Sequence, residues 1–180
     1  MQIFSKTTLI LFSLFLSTYV KADDNRSVPL EVQVKAALIF NFSKFIDWPP
    51  DSFANDTSPI DIGIVGNDPF GRVLDEAVEG QVVHGRKIQL NRLTPDSNLR
   101  NNHILFISSS EEKNLKSIIA SIRGASVVTI SDIPDFDKLG GTIALYLKEN
   151  HVKFAINIAA ADQARVKINS QLLKMSQANN

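Results

Sequence analysis

Apolar positions along the chain switch between two periods. From Val28 to Ile46 they recur at steps of three and four, which predicts a helix, and Trp48-Pro49-Pro50 stops it because proline cannot continue a helix and disfavours it one residue earlier. At about 100° per residue, Val34, Leu38, Phe42 and Phe45 share a broad stripe with Ile39 and Ile46. Phe40 falls on the other side, beside Gln33, Ala36 and Lys44, with no obvious core. It is expected either to pack under the Trp48-Pro49-Pro50 turn or to serve a dimer or partner surface. Asn41, at the edge of the stripe, is expected to pin the loop after Trp48 through its amide if buried.

Beyond a polar loop at 51–59, Ile60 to Val65 reads as a short buried strand. Asp68-Pro69 reads as a helix N-cap followed by proline at the first helical position, with Phe70, Val73, Leu74, Ala77 and Val78 on one face of that helix. Gly80 to Leu93 reads as a turn and a strand bending at Gly85-Arg86. Ile104 to Ile107 is a continuous apolar run of the kind found inside parallel sheets, and Ser109 with Glu112 predicts a capping box for a helix buried through Leu115, Ile118, Ile119 and Ile122. Val127 to Ile130 is another buried strand, 131–141 a loop, and 142–148 with 152–158 a hairpin joined by Glu149-Asn150-His151. The chain from Ile158 onward reads as helical. Strands alternating with helices and closed by a hairpin predict a three-layer α/β sandwich with a mixed, mostly parallel sheet flanked by helices.

The first 22 residues carry a different pattern: Lys6, an apolar core from Thr8 to Tyr19, and small residues at Val20 and Ala22 around Lys21. This predicts an export leader cleaved after Ala22, leaving residues 23–180 as a single domain. Loss of Lys6 and Lys21 turns a formal charge of zero slightly negative, which disfavours nucleic acid and anionic lipid as partners. The chain has no cysteine, so disulfides, thiol catalysis and Cys-ligated zinc are excluded.

Candidate chemistry is sparse. The turn Gly63 to Gly71 joins a strand to a helix as phosphate-binding loops do, but it is neither G-x-G-x-x-G nor a P-loop, and Asp68 places a carboxylate where a phosphate would sit. His84, His103 and His151 lack ligand spacing and are expected at the surface or at strand ends. Asp132, Asp135 and Asp137 miss the calcium-loop pattern, and Ser108-Ser109-Ser110 lacks a nucleophile elbow. No catalytic, metal or cofactor set emerges.

Several motifs, in their order and spacing, carry a resemblance: V-K-A-A-x-x-x-N-F-x-K-F-I-x-W-P from Val34 through Asn41, Phe42, Phe45 and Pro49; G-x-D-P-F-G through Asp68, Pro69 and Phe70; S-D-x-x-x-F from Ser131; Gly140-Gly141; Phe154-x-Ile156-Asn157; and Ile168 to Leu173. Together they resemble the YfiR family across Val34 to Leu173. The resemblance implies a non-enzymatic periplasmic regulator that represses an inner-membrane signalling enzyme, typically a diguanylate cyclase, by binding its periplasmic segment. It also implies relief by an OmpA-like outer-membrane lipoprotein, and a homodimer. Other membrane sensors accompany the family, so the target enzyme is left open. Phe40 and Trp48 are the leading candidates for partner contact, with Phe154 third because its hairpin position could face the core. Two other readings stay open: a periplasmic small-molecule binding domain using the crevice at the strand ends, and a hydrolase.

Overall fold

The computed structural model describes residues 28–177; the expected leader lies outside them. Helix α1 (Leu30–Ser43) leads through β1 (Ile46–Asp47) to β2 (Ile60–Val65), α2 (Arg72–Val78), β3 (Val82–Val83) and β4 (Arg86–Leu93). Then follow β5 (Ile104–Ile107), α3 (Leu115–Ser121), β6 (Val128–Ser131), β7 (Ile143–Lys148), β8 (His151–Ile156), α4 (Ile158–Gln163), β9 (Lys167–Ile168) and α5 (Ser170–Gln177). The main sheet has the order β3-β4-β2-β5-β6-β7-β8. Its inner strands β4, β2, β5, β6 and β7 run parallel, and β3 and β8 close the edges antiparallel. The three strongest apolar runs, at Ile60, Ile104 and Val128, are thus parallel neighbours, as their patterning predicts.

Both faces are buried. Ile60, Ile62, Ile64, Ile104, Phe106, Val128, Ile130, Ile143 and Leu145 point into one cluster with α1 and α2. Val65, Leu105, Ile107 and Ala144 point the other way, beneath Leu115 and Ile118 of α3 and the loop residues Ile133 and Phe136. Two buried faces explain the unbroken apolar strands. They also make a mixed, mostly parallel α/β sandwich of the architecture.

Local chemistry moves several boundaries. Asp68 does not cap a helix; its Oδ1 accepts from the N–H groups of Phe70 (2.7 Å) and Gly71 (3.2 Å), closing an Asx turn, and α2 begins only at Arg72 after Gly71 at φ 49°. Pro69 is therefore a turn residue and not the first of a helix. Ser109 and Glu112 form no capping box. Ser108 is the cap instead, accepting from the Ser110 N–H at 3.3 Å, and 3-10 turns span Ser109–Asn114 before α3.

The strand predicted at Gly80 to Leu93 is a hairpin, turning at His84-Gly85 where both φ angles are positive (51° and 77°), the signature of a type I′ turn. The β7–β8 turn is the same type, Glu149-Asn150 at 52° and 59°, so His151 already belongs to β8. The C-terminal region is not one helix. β9 interrupts it and pairs antiparallel with β1, Ile46 opposite Ile168, where Asn169 N–H also reaches the Phe45 carbonyl at 2.8 Å. That ribbon ends α1 at Ser43, short of the predicted Ile46, and ties the Trp48 turn to the C-terminus.

Candidate functional site

The side chains proposed as partner anchors lie largely inside the molecule. Phe154 is buried and meets Phe42 edge to face, ring centres 5.0 Å apart. Phe40 is 8% exposed and belongs to the main core, with the Lys44 ammonium 4.2 Å from its ring centre. This corrects the reading of Phe40 as lacking a core: the inward face of α1 is centred on Ala36, Ile39, Phe40 and Ser43. Apolar residues surround this helix, so their sum fixes its orientation poorly. The small residues Ala36 and Ser43 are fully buried on this face, with the Ser43 hydroxyl donating to its own helix at the Phe40 carbonyl, 2.6 Å. Asn41 is half-buried and accepts from Lys44 Nζ at 3.0 Å within α1, so it pins no loop. Phe42 is buried and Phe45 half-buried against the same core. Phe70 packs edge to face on Phe106, centres 4.7 Å apart.

Trp48 is half-buried and uses its polar atom internally, donating from Nε1 to the His103 carbonyl at 3.2 Å. Pro49 presents its carbonyl to the Ser52 N–H and hydroxyl at 3.0 and 2.6 Å, which fixes the turn beside it. Around Trp48 stands a column that the sequence did not disclose. The His103 ring is edge-on to Trp48 (5.8 Å) and stacked on Phe53 (4.3 Å), and the Arg86 guanidinium covers the other face of Phe53 at 3.7 Å. Arg86 is held by the carbonyls of Asn55 and Ser58, both at 2.8 Å.

His103 does sit at a strand end, but only 5% of it is exposed. Its Nδ1 accepts from the Asp61 N–H at 3.0 Å, which leaves the proton on Nε2, 3.2 Å from the Ser52 carbonyl. Burial pushes its pKa below the ordinary value, with Arg86 adding to the shift and the Asp61 carboxylate and Ser52 opposing it. The folded protein therefore favours neutral His103, and protonation is taken up more readily by the unfolded chain. The stabilisation this gives is complete above the unfolded pKa of about 6.5 and is lost as pH falls from there through the lower folded value. Melting temperature is expected to drop on acidification below about pH 6.5, and His103→Gln should flatten that slope. An equal slope in the variant would assign the acid sensitivity elsewhere.

The parallel strands follow the order second-first-third-fourth-fifth, which places a topological switch between the carboxyl ends of β2 and β5, where such sheets commonly bind ligands. Here that crevice is filled by the chain itself. A Cβ on Gly66 would lie 2.5 Å from Ser110 Oγ, and Ser110 Oγ accepts from the Asn67 N–H at 3.0 Å. Asp68 Oδ2 is paired with Arg92 Nε at 2.9 Å, and Arg92 also binds Asp75 at 2.8 Å. These contacts occupy the switch point between β2 and β5. Among the described residues, no group of three or more histidine, aspartate or glutamate side chains is arranged to hold a metal.

An open cleft of about 540 Å³ lies instead at the carboxyl ends of β6 and β7. One wall is α1, where Lys35 Nζ is buried between Glu31 (2.6 Å) and Asp132 (2.7 Å). Burial alone would lower the Lys35 pKa, but the hydrogen bonds to Asp132 and Glu31 outweigh it, so the ammonium is held charged above the ordinary lysine value. The other wall is the 132–141 loop, and the motif residues serve to hold it. Ser131 Oγ donates to the Ile107 carbonyl (2.6 Å) and accepts from the Ile133 N–H (3.1 Å). Asn157 accepts from the Ala160 N–H at the start of α4 (3.0 Å) and donates to the Asp137 carbonyl (2.7 Å), clamping loop to hairpin. Gly140 sits at φ 97°, and Gly141 lies flat against the buried Phe136 ring, where a Cβ would come within 2.1 Å.

A conserved domain protein from Vibrio cholerae, of known crystal structure, superposes on this chain with a TM-score of 0.57 at 14% identity, over 81% of this chain and 58% of that one. The likeness is one of fold, and this chain spans less than two thirds of that protein's length. No protein of curated function matches the sequence. No helix among the described residues is long and apolar enough to cross a membrane. The family model described as YfiR/HmsC-like matches residues 32–177, so the motifs that build the Trp48 turn, the Asx turn at Asp68 and the clamped 132–141 loop stand together in one match, and the chain belongs to the YfiR/HmsC-like family.

Proposed function

We propose that this chain is a periplasmic regulator without catalytic activity, which represses an inner-membrane signalling enzyme, most simply a diguanylate cyclase, by binding its periplasmic segment. The observation that carries this reading is the family match over 32–177, essentially the whole described fold. On this reading residues 1–22 direct export and are removed, and residues 23–180 form the single mature domain. An OmpA-like outer-membrane lipoprotein competes for the regulator and relieves repression, and the working form is a homodimer. Another membrane sensor in place of the cyclase would use the same mode of action.

Interior placement of Phe40 and Phe154 gives the regulator's contacts to other surfaces, while the half-buried Trp48 retains an edge for them. Deleting the gene is expected to raise cyclic di-GMP and biofilm formation, and restoring residues 1–180 to lower both. Unchanged cyclic di-GMP on deletion would remove the cyclase as target.

A further inference from the structure

The chain's strands differ in length where β6 meets β7. Their pairing ends at Ser131 opposite Ala144, and the Ile133 N–H is bonded to Ser131 Oγ, so the chain turns away from the sheet. β7 continues to Lys148. In the β7–β8 hairpin the pair flanking the two-residue turn, Lys148 and His151, faces inward, and the Asn157 N–H to Thr142 carbonyl bond (2.9 Å) fits the same alternation. Residues 143, 145 and 147 therefore aim their main-chain groups at the β6 side. Ile143 meets β6 there, but beyond the last pair the carbonyl of Leu145 and both main-chain groups of Leu147 face the open cleft.

From these features we infer that the cleft receives an extended segment of a partner protein, which adds as a strand along Leu145–Leu147. The inference rests on the protein-binding reading above and names its surface. Main-chain bonds of this kind supply affinity, while pockets for alternate side chains supply specificity. The slot is walled by α1 on one side and the 132–141 loop on the other, so a single extended segment fits it and the edge of a second folded sheet does not. Charge selects the segment. Glu31, Asp132, Asp135 and Asp137 line the cleft against Lys35 and Lys138, which leaves it acidic. Leu147, half exposed at 52%, shares its side of β7 with Leu145, towards α1, and supplies an apolar contact there, while Asp135 and Asp137 stand on the loop side. The segment that fits is a β-forming stretch of about four residues with lysine or arginine on one face and an aliphatic side chain on the other.

A phage-displayed library of random heptapeptides, selected on purified residues 23–180, tests this. Selection is expected to return basic, alternating sequences whose affinity falls about tenfold or more with Leu147→Pro, which removes the outward N–H, and with Asp137→Lys, which reverses the charge. Bound peptide should also slow exchange of the Leu147 amide about tenfold. Asp137→Lys keeps the test valid if Leu147→Pro does not fold by thermal melting. Peptides that bind both variants as they bind the wild type, or a library with no slot-dependent sequence, would overturn the inference. In cells the two readings separate: if the wild-type chain fails to lower cyclic di-GMP, the cyclase fails as the target. If it succeeds and both folded variants succeed equally, only the slot fails.

Discussion

Phe106→Ala is expected to destabilise the protein by about 3–5 kcal/mol. β5 is the fourth of the seven sheet strands, paired with β2 on one side and β6 on the other, and Phe106 is fully buried against Phe70 and the α1–α2 layer. Truncation removes the ring's transfer free energy and leaves a cavity that a strand paired on both sides cannot collapse around. Urea unfolding checks it through the midpoint at constant slope. A loss under about 1 kcal/mol would mean that the central strand is misplaced.

Phe40→Ala is expected to cost about 2–4 kcal/mol, slightly less because the ring keeps some exposure and Lys44 covers it. This reverses the expectation for an exposed anchor, whose truncation would weaken partner binding and leave melting nearly unchanged. The same unfolding measurement decides between them. A variant that melts with the wild type would return Phe40 to the surface.

The sequence made the sheet legible where burial is two-sided. Ile60 to Val65 and Ile104 to Ile107 are strands at their predicted limits, because unbroken apolar runs leave little freedom in where a strand ends. It was less informative where one local signal had two structural uses. Asp68-Pro69 has the chemistry of a helix start and of an Asx turn, and the Arg92 pairing with Asp68, a contact from a distant strand, accompanies the turn. The α1 stripe was misoriented because Ala36 and Ser43 carry little weight in a hydrophobic sum although both are fully buried. β9 was missed because a two-residue strand has no periodicity, and only its pairing with β1 defines it.

The candidate sites divide in the same way. His103 gave no spacing signal, since its partners Ser52, Phe53, Asp61 and Arg86 come from three other segments. The β7 slot did leave a trace: the predicted strand 142–148 is longer than its neighbour 127–130, and unequal parallel neighbours leave main-chain groups over. Gly140-Gly141 and Asn157 were recognisable as motif residues, and the fold explains them as supports of the loop that walls that cleft. Their role is to hold a surface in shape.

The central claim, repression of a diguanylate cyclase by binding from the periplasmic side, is tested most directly by adding purified residues 23–180 to spheroplasts of the deletion strain and measuring cyclic di-GMP. The account predicts a dose-dependent fall toward the wild-type level. Cyclic di-GMP that stays at the deletion level, with folded protein in excess outside the inner membrane, would contradict it.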